Sequence, residues 1–276
     1  MSVKIVVDSS VDLAPEFKAQ VKTVALSVLF GEREYKDGVT INPEKFYEML
    51  VQCEQLPTTS QPTPAAFEDA YRELVEAGHE VLVITIASKL SGTYQSATIA
   101  ADEFPGKVFV LDSRAAAIGS GLLAMSALKL AEEGLSAQQI LEILMEKRKK
   151  IRLFAMVDTL EYLKKGGRLS STVAFVGGVL NLKPIISLVE GEIQVVGKAR
   201  GLKAAFSAMN QACQETGIDL SEPYLMGYTG SSNENLTKYL AESGDLWPAG
   251  SEKLIIGSAI GTHAGPGAVA IAFYGK

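Results

Sequence analysis

Short runs rich in valine and isoleucine recur along the chain between stretches of helical periodicity: VKIVVD at 3–8, EVLVITI at 80–86, KVFVLD at 107–112 and LFAMVD at 153–158. A strand apolar on both faces must be covered on both, so such runs alternating with helices predict a parallel sheet between two helical layers. Helix starts are marked chemically. Asn42-Pro43 ahead of EKFYEML and Thr63-Pro64 ahead of AAFEDAYREL each put a side chain that accepts from free backbone N–H groups before a proline that lacks one. Residues 114–150 read as two helices broken at Glu133-Gly134, the second ending on the cations of EKRKK.

The pattern is α/β, and 276 residues is about where a single core stops growing. We place a domain boundary near 151: an N-terminal parallel-sheet α/β domain over 1–151 and a second α/β or α+β domain over 152–276. In the second, DTLEYLKK is a short helix, Gly166-Gly167 a turn and TVAFVGGVLNL a small apolar helix. PIISLVE and EIQVVGK form a hairpin across Glu190-Gly191. A helix at about 202–215, a strand PYLMGYT and a helix NENLTKYLAE follow. Residues 254–275 carry no formal charge and are long enough to span a membrane. Their glycines, Pro266 and the polar Ser258, Thr262 and His263 make them two short buried strands around a polar turn instead.

Apolar residues make up 47% of the chain and charged residues 21%, which excludes general disorder. The mean hydropathy of +0.16 is high for a chain without a membrane span. Lys and Arg number 26 against 32 Asp and Glu, a net charge of −6 with no dense basic patch, which argues against nucleic acid as a partner. Cys53 and Cys213 have no CxxC spacing, so neither a disulfide framework nor a zinc ribbon is indicated and a reducing cytoplasm is the expected location. The N-terminal apolar run is too short for a signal peptide and reads as a strand. Two histidines and two cysteines in unrelated contexts supply no metal-ligand set. No Walker A lysine motif occurs, and lone GxG patterns lack the strand-turn-helix context of a dinucleotide site.

Three hydroxyl-rich segments sit where strands or loops hand over to helices: Asp8-Ser9-Ser10, the run from Thr58-Thr59-Ser60 to Thr63, and Ser88-Lys89-Leu90-Ser91-Gly92-Thr93. Each alone reads as an ordinary cap. Together they suit a shared cradle for a carboxylate or phosphate at strand ends and helix N-termini. His263 lies in a glycine-rich stretch, where it is either a packed core residue or a donor or base at a ligand. His79 follows Ala77-Gly78 and reads as structural. Arg168 in Lys164-Lys165-Gly166-Gly167-Arg168, and Arg200 before Gly201, are solvated basic turns or two-bond anchors for an anion. Ser91, His263 and Asp8 or Asp112 complete the inventory of a hydrolytic triad, but no GxSxG elbow surrounds Ser91.

The motifs then add to more than their spacing. VVDSSVDL at 6–13, TTSQPTPAAF at 58–67, ASKLSGTYQSA at 87–97, VLDSRAAAIGSGL at 110–122, LEYLKKGGRLS at 160–170, NLKPIISLVEGEI at 181–193, KARGLKAA at 198–205 and GTHAGPGAVAIAF at 261–273 occur in this order. In these the chain resembles the DegV family of bacterial fatty-acid-binding proteins, which includes the fatty acid-binding subunit of fatty acid kinase. The resemblance implies a two-domain DegV-like α/β fold and one buried long-chain fatty acid, such as palmitate, stearate or oleate, with no further cofactor and no metal. It puts the ligand's carboxylate at the TSQP and LSGT segments, here Thr59, Ser60, Ser91, Gly92 and Thr93, with His263 and Arg168 near the head and Arg200 toward a partner. That partner is an ATP-dependent kinase subunit that makes acyl phosphate, and membrane contact is at most transient. The protein itself is then a non-catalytic carrier; a serine esterase or acyl-transfer enzyme using Ser91 and His263 is the alternative, and a phosphate-ester sensor a third. Small and branched residues of TVAFVGGVLNL and AAAIGSGLLAM are candidates for lining the tunnel, or for plain helix packing.

Overall fold

A computed structural model describes residues 2–169, 181–248 and 252–276. From the N-terminus the elements run β1 (Val3–Asp8), α1 (Pro15–Lys18), β2 (Lys22–Val24), β3 (Ser27–Phe30), β4 (Arg33–Lys36), α2 (Pro43–Gln52), β5 (Thr58–Ser60) and α3 (Pro64–Glu76). Then come β6 (Glu80–Thr85), α4 (Thr93–Ala101), β7 (Val108–Asp112), α5 (Ile118–Glu132) and α6 (Ala137–Lys150). The C-terminal part holds β8 (Ile151–Met156), α7 (Glu161–Lys165), β9 (Leu182–Val189), β10 (Glu192–Arg200) and α8 (Leu202–Glu215). It closes with β11 (Leu225–Tyr228), α9 (Glu234–Ser243), β12 (Lys253–Ile255), α10 (Ser258–Ala264) and β13 (Val269–Tyr274).

The first sheet is parallel, in the order β2-β1-β6-β7, as the apolar runs predict. One face, with Val6, Val81 and Val83, packs on Phe67, Tyr71 and Ala97 of α3 and α4. The other, with Ile5, Val7, Leu82 and Ile84, packs on α5 and α6 through Ile118, Leu122 and Ile140. Each such side chain contributes about 1.5–3 kcal/mol on full burial, which is why both faces carry Val and Ile. The predicted caps form: Lys45 N–H donates to Asn42 Oδ1 at 2.9 Å and Ala66 N–H to Thr63 Oγ1 at 3.3 Å.

The run at 153–158 departs from the expectation. Strand β8 belongs to a six-stranded sheet, β10-β9-β8-β13-β11-β12, and pairs antiparallel with β9 and β13. Its apolar run is continuous because both faces are covered: α8 packs against Phe154 and Met156 on one, and α5, Leu160 and Leu163 against Leu153, Ala155 and Val157 on the other. Such a run reports burial on two faces and carries no information about strand direction. The β9-β10 hairpin turns as predicted, with Glu190 and Gly191 both at positive φ, 49° and 81°.

Residues 254–275 are not two strands around a turn. Helix α10 separates β12 from β13 and ends at Gly265, φ 70°. Its Gly261 lies flat against the rings of Phe46 and Tyr47, where any side chain would collide. The glycine that suggests a turn is therefore a close-packing position on a helix face. A small antiparallel sheet, β4-β3-β5, flanks this region. The expected helix at TVAFVGGVLNL falls outside the described residues except for Asn181 and Leu182, the latter opening β9. Among the described residues no helix is long and apolar enough to cross a membrane.

Candidate ligand-binding site

One face of the six-stranded sheet is the floor of an apolar cavity. Alternation along the strands supplies it: Leu153, Ala155 and Val157 along β8 and just beyond, Ile186 and Leu188 from β9, and Ala268 and Ala270 at β13. Register puts Ala155 beside both Ile186 and Ala270 in one row, and Leu153 and Leu188 line the same cavity. Alanines keep the middle of the floor low, and the two leucines raise it at the far end. Ile86 and Leu90 after β6, Ala116 and Ala117 before α5, and Ile256 and Ile260 of the α10 region close over it.

The polar residues lining this cavity are Ser10, Thr59, Ser91, Arg168, Thr229 and His263. Three of them, Thr59, Arg168 and His263, also line an outer pocket together with Tyr162 and Lys165. They form the partition between the apolar interior and the surface. Strand β5 presents Thr59, α10 presents His263, and their Oγ1 and Nε2 atoms lie 2.8 Å apart. Arg168 follows α7 and is tied to two backbone carbonyls, Nε donating to Leu90 at 3.0 Å and Nη1 to Gly166 at 2.7 Å. Its charge is thus held between the KGGR turn and the LSGT loop. Gly166 itself presses against His263 Nδ1, so any side chain there would displace the imidazole. Ser91 Oγ lies 2.8 Å from Thr93 Oγ1 and accepts from Thr93 N–H at 3.3 Å, just ahead of α4.

Burial, and behind it the charge of Arg168, push the His263 imidazole down to about 4. It is neutral at pH 7, with one ring N–H to donate. Its Nδ1 has no hydrogen-bond partner among the described residues. A guanidinium, a neutral imidazole and two hydroxyls at the lip of an apolar cavity can together receive a carboxylate, which alone would cost several kcal/mol to desolvate.

The structure thus brings Thr59, Ser91, Arg168 and His263 to one place. Thr93 is buried behind Ser91 as the first residue of α4, and Gly92, the residue before it, lies against the Gln61 side chain. Ser60 points outward, its Oγ donating weakly to Gln61 O at 3.5 Å, and Arg200 is exposed at the end of β10. Neither bond of a hydrolytic triad forms among the described residues. Ser91 pairs with Thr93, His263 with Thr59, and Asp8 and Asp112 receive Ser10 and Ser88. His79 meets Ser2 Oγ at 2.8 Å, a structural contact. From AAAIGSGLLAM only Ala116 and Ala117 reach the cavity; the rest of α5 packs between the sheets. Sequence reasoning missed the floor, although Ala268, Ala270 and Ala272 at every second position of the last strand signal a deliberately low surface.

The sequence model of the DegV family matches residues 2–276. A DegV domain-containing protein from Caldanaerobacter subterraneus is 36% identical over 282 residues, covering 99% of each chain. A fatty-acid-binding DegV family protein from Thermus thermophilus is similar in structure, with a TM-score of 0.90 at 34% identity and 100% of both chains covered. A DegV lipid-binding protein from Thermotoga maritima gives 0.89 at 29% identity, covering 100% of this chain and 99% of that one.

Proposed function

The chain belongs to the DegV family, and from that premise we propose that it binds one long-chain fatty acid, acyl chain over the sheet floor and carboxylate among Thr59, Ser91, Arg168 and His263. The observation that carries this reading is an apolar cavity whose one strong cation among the described residues, Arg168, stands with His263 and Thr59 at the partition to the surface. At ~0.8 kcal/mol per buried methylene, a chain of about 14 methylenes gains on the order of 10 kcal/mol before association and ordering costs are subtracted. The head group needs only to be desolvated without loss, which its donors provide.

The outer pocket gives the head group a route to a second protein. We extend the proposal to presentation: the carboxylate faces an ATP-dependent kinase subunit, whose γ-phosphoryl group passes to a carboxylate oxygen to give acyl phosphate and ADP. Arg200, exposed at the end of β10, is the residue assigned to that partner, and 1–151 and 152–276 are the proposed domains. Native mass spectrometry and lipid extraction of purified protein test the binding step. A stoichiometric C14–C18 acid is expected. Ligand-free protein that takes up no added fatty acid refutes it.

A further inference from the structure

Helix α10 reaches the proposed ligand site with its last turn, through His263, while its first turn is held by side chains from the other end of the chain. Gly257 N–H donates to Asp12 Oδ1 at 2.8 Å, and Ser258 and Ala259 N–H groups donate to Asp37 Oδ1 and Oδ2 at 3.0 and 3.2 Å. The first N–H groups of the helix are therefore received by two carboxylates that follow β1 and β4. Both are buried, Asp12 to 8% and Asp37 to 3% exposure. Gly257 lies against both of them, so no side chain separates the pair. Tyr47 OH donates to Ile256 O at 2.9 Å and fixes the approach from α2. Asp12 Oδ2 has no hydrogen-bond partner among the described residues.

A helix of seven residues spans only about 10 Å and is too short to be stable by its own hydrogen bonds. Its placement depends on what holds its ends, and a shift at the first turn is carried to the last as a rigid-body movement. We propose that Asp12 and Asp37 are positioning residues for ligand binding, which through α10 fix His263 against Thr59 and Gly166 at the polar end of the cavity. The ligand named in the test rests on the fatty-acid reading; the geometry does not.

The pair has a titration that a simple cap lacks. Burial raises Asp12 to about 8 and raises Asp37 as well. Asp8 from β1, Lys18 from α1 and Tyr47 from α2 face them, and Glu252 and Lys253 line the groove outside. At neutral pH Asp12 keeps its proton while its Oδ1 accepts from Gly257. Above about pH 8 the Asp12 carboxyl takes on a negative charge that burial penalises, and the cost acts on the first turn of α10.

The test uses delipidated full-length protein and oleate, with affinity measured by calorimetry from neutral to alkaline pH. Wild type is expected to weaken by about tenfold as Asp12 ionises, the scale of about one pKa unit of difference between its two protonation states. Asp12→Asn keeps the acceptor and has no proton to lose, so its affinity stays flat after the ligand's own titration, common to both proteins, is divided out. Asp37→Asn is expected to weaken binding at every pH and to shift the imidazole NMR signals of His263 while leaving those of His79, the other histidine, unmoved. Parallel pH profiles for wild type and Asp12→Asn overturn the proposal, as does an Asp37→Asn protein with unchanged affinity and unmoved His263 signals. Should Asp37→Asn not fold, the Asp12→Asn profile decides alone. If wild type binds no oleate at any pH, the ligand reading fails, and the His263 signals still decide the positioning role.

Discussion

On the fatty-acid reading proposed above, Leu153 and Leu188 are the residues expected to limit the acyl length the cavity accepts. Leu153 and Leu188 face the cavity on one side and, on the other, a groove lined by Arg114, Arg148 and Arg152. An apolar tail driven through this wall would strip water from guanidinium groups, so the wall acts as a limit. Leu188→Ala is the cleaner perturbation, because Leu188 is half-buried whereas Leu153 is 5% exposed and packs on Gly119 of α5. Removing Leu153 would also open the core, at about 2–5 kcal/mol of stability. Leu188→Ala deletes three carbon atoms, room for about two methylenes of ligand. At ~0.8 kcal/mol each, the longer acid gains about 1.6 kcal/mol over wild type, a shift of roughly tenfold or a little more in relative affinity. Equimolar C16, C18 and C20 acids offered to delipidated protein and read by native mass spectrometry measure it. A bound distribution identical to that of wild type, or one moved toward shorter chains, refutes the assignment of this wall as the end of the tunnel.

At the other end, Ser91→Ala and Thr59→Ala are each expected to weaken fatty-acid binding by about 1.5–3 kcal/mol, the cost of a lost bond to a buried charge; unchanged affinity in both removes these hydroxyls from the head-group site. For His263 the sign follows from its depressed pKa. The folded state holds the neutral ring down to about pH 4, so the unfolded state binds the extra proton below pH 6.5, and stability is lost as pH falls from there toward 4. Unfolding free energies from urea titrations should therefore drop further between pH 6.5 and 4.5, by about 2 kcal/mol, in ligand-free wild type than in His263→Gln, and equal drops contradict the burial of a neutral imidazole. Arg200→Ala is expected to reduce kinase-coupled phosphorylation more than oleate binding, and equal losses place Arg200 at the ligand. A fluorophosphonate probe should leave Ser91 unlabelled, because His263 is engaged with Thr59; labelling with ester turnover would establish the enzyme reading.

Local chemistry was legible in the residues themselves. Asn42 and Thr63 cap their helices, Glu190-Gly191 turns the hairpin, and Val-rich runs make the parallel sheet, because each signal acts within a few residues or within one strand. The motif set pointed to Thr59, Ser60, Ser91, Gly92, Thr93, Arg168 and His263, of which Thr59, Ser91, Arg168 and His263 line one cavity. Burial on two faces looks the same in either sheet, so β8 could not be assigned to its antiparallel neighbours from LFAMVD alone. Gly261 and Gly265 suggested a turn until Phe46, Tyr47 and Tyr162 were seen packed against them, which makes the segment a helix and aims His263 inward. The cavity is the clearest case. It is the space left between alternate residues of three strands and loops far apart in sequence, and no single segment encodes a volume, because that volume exists only once register and packing have set the distances between them.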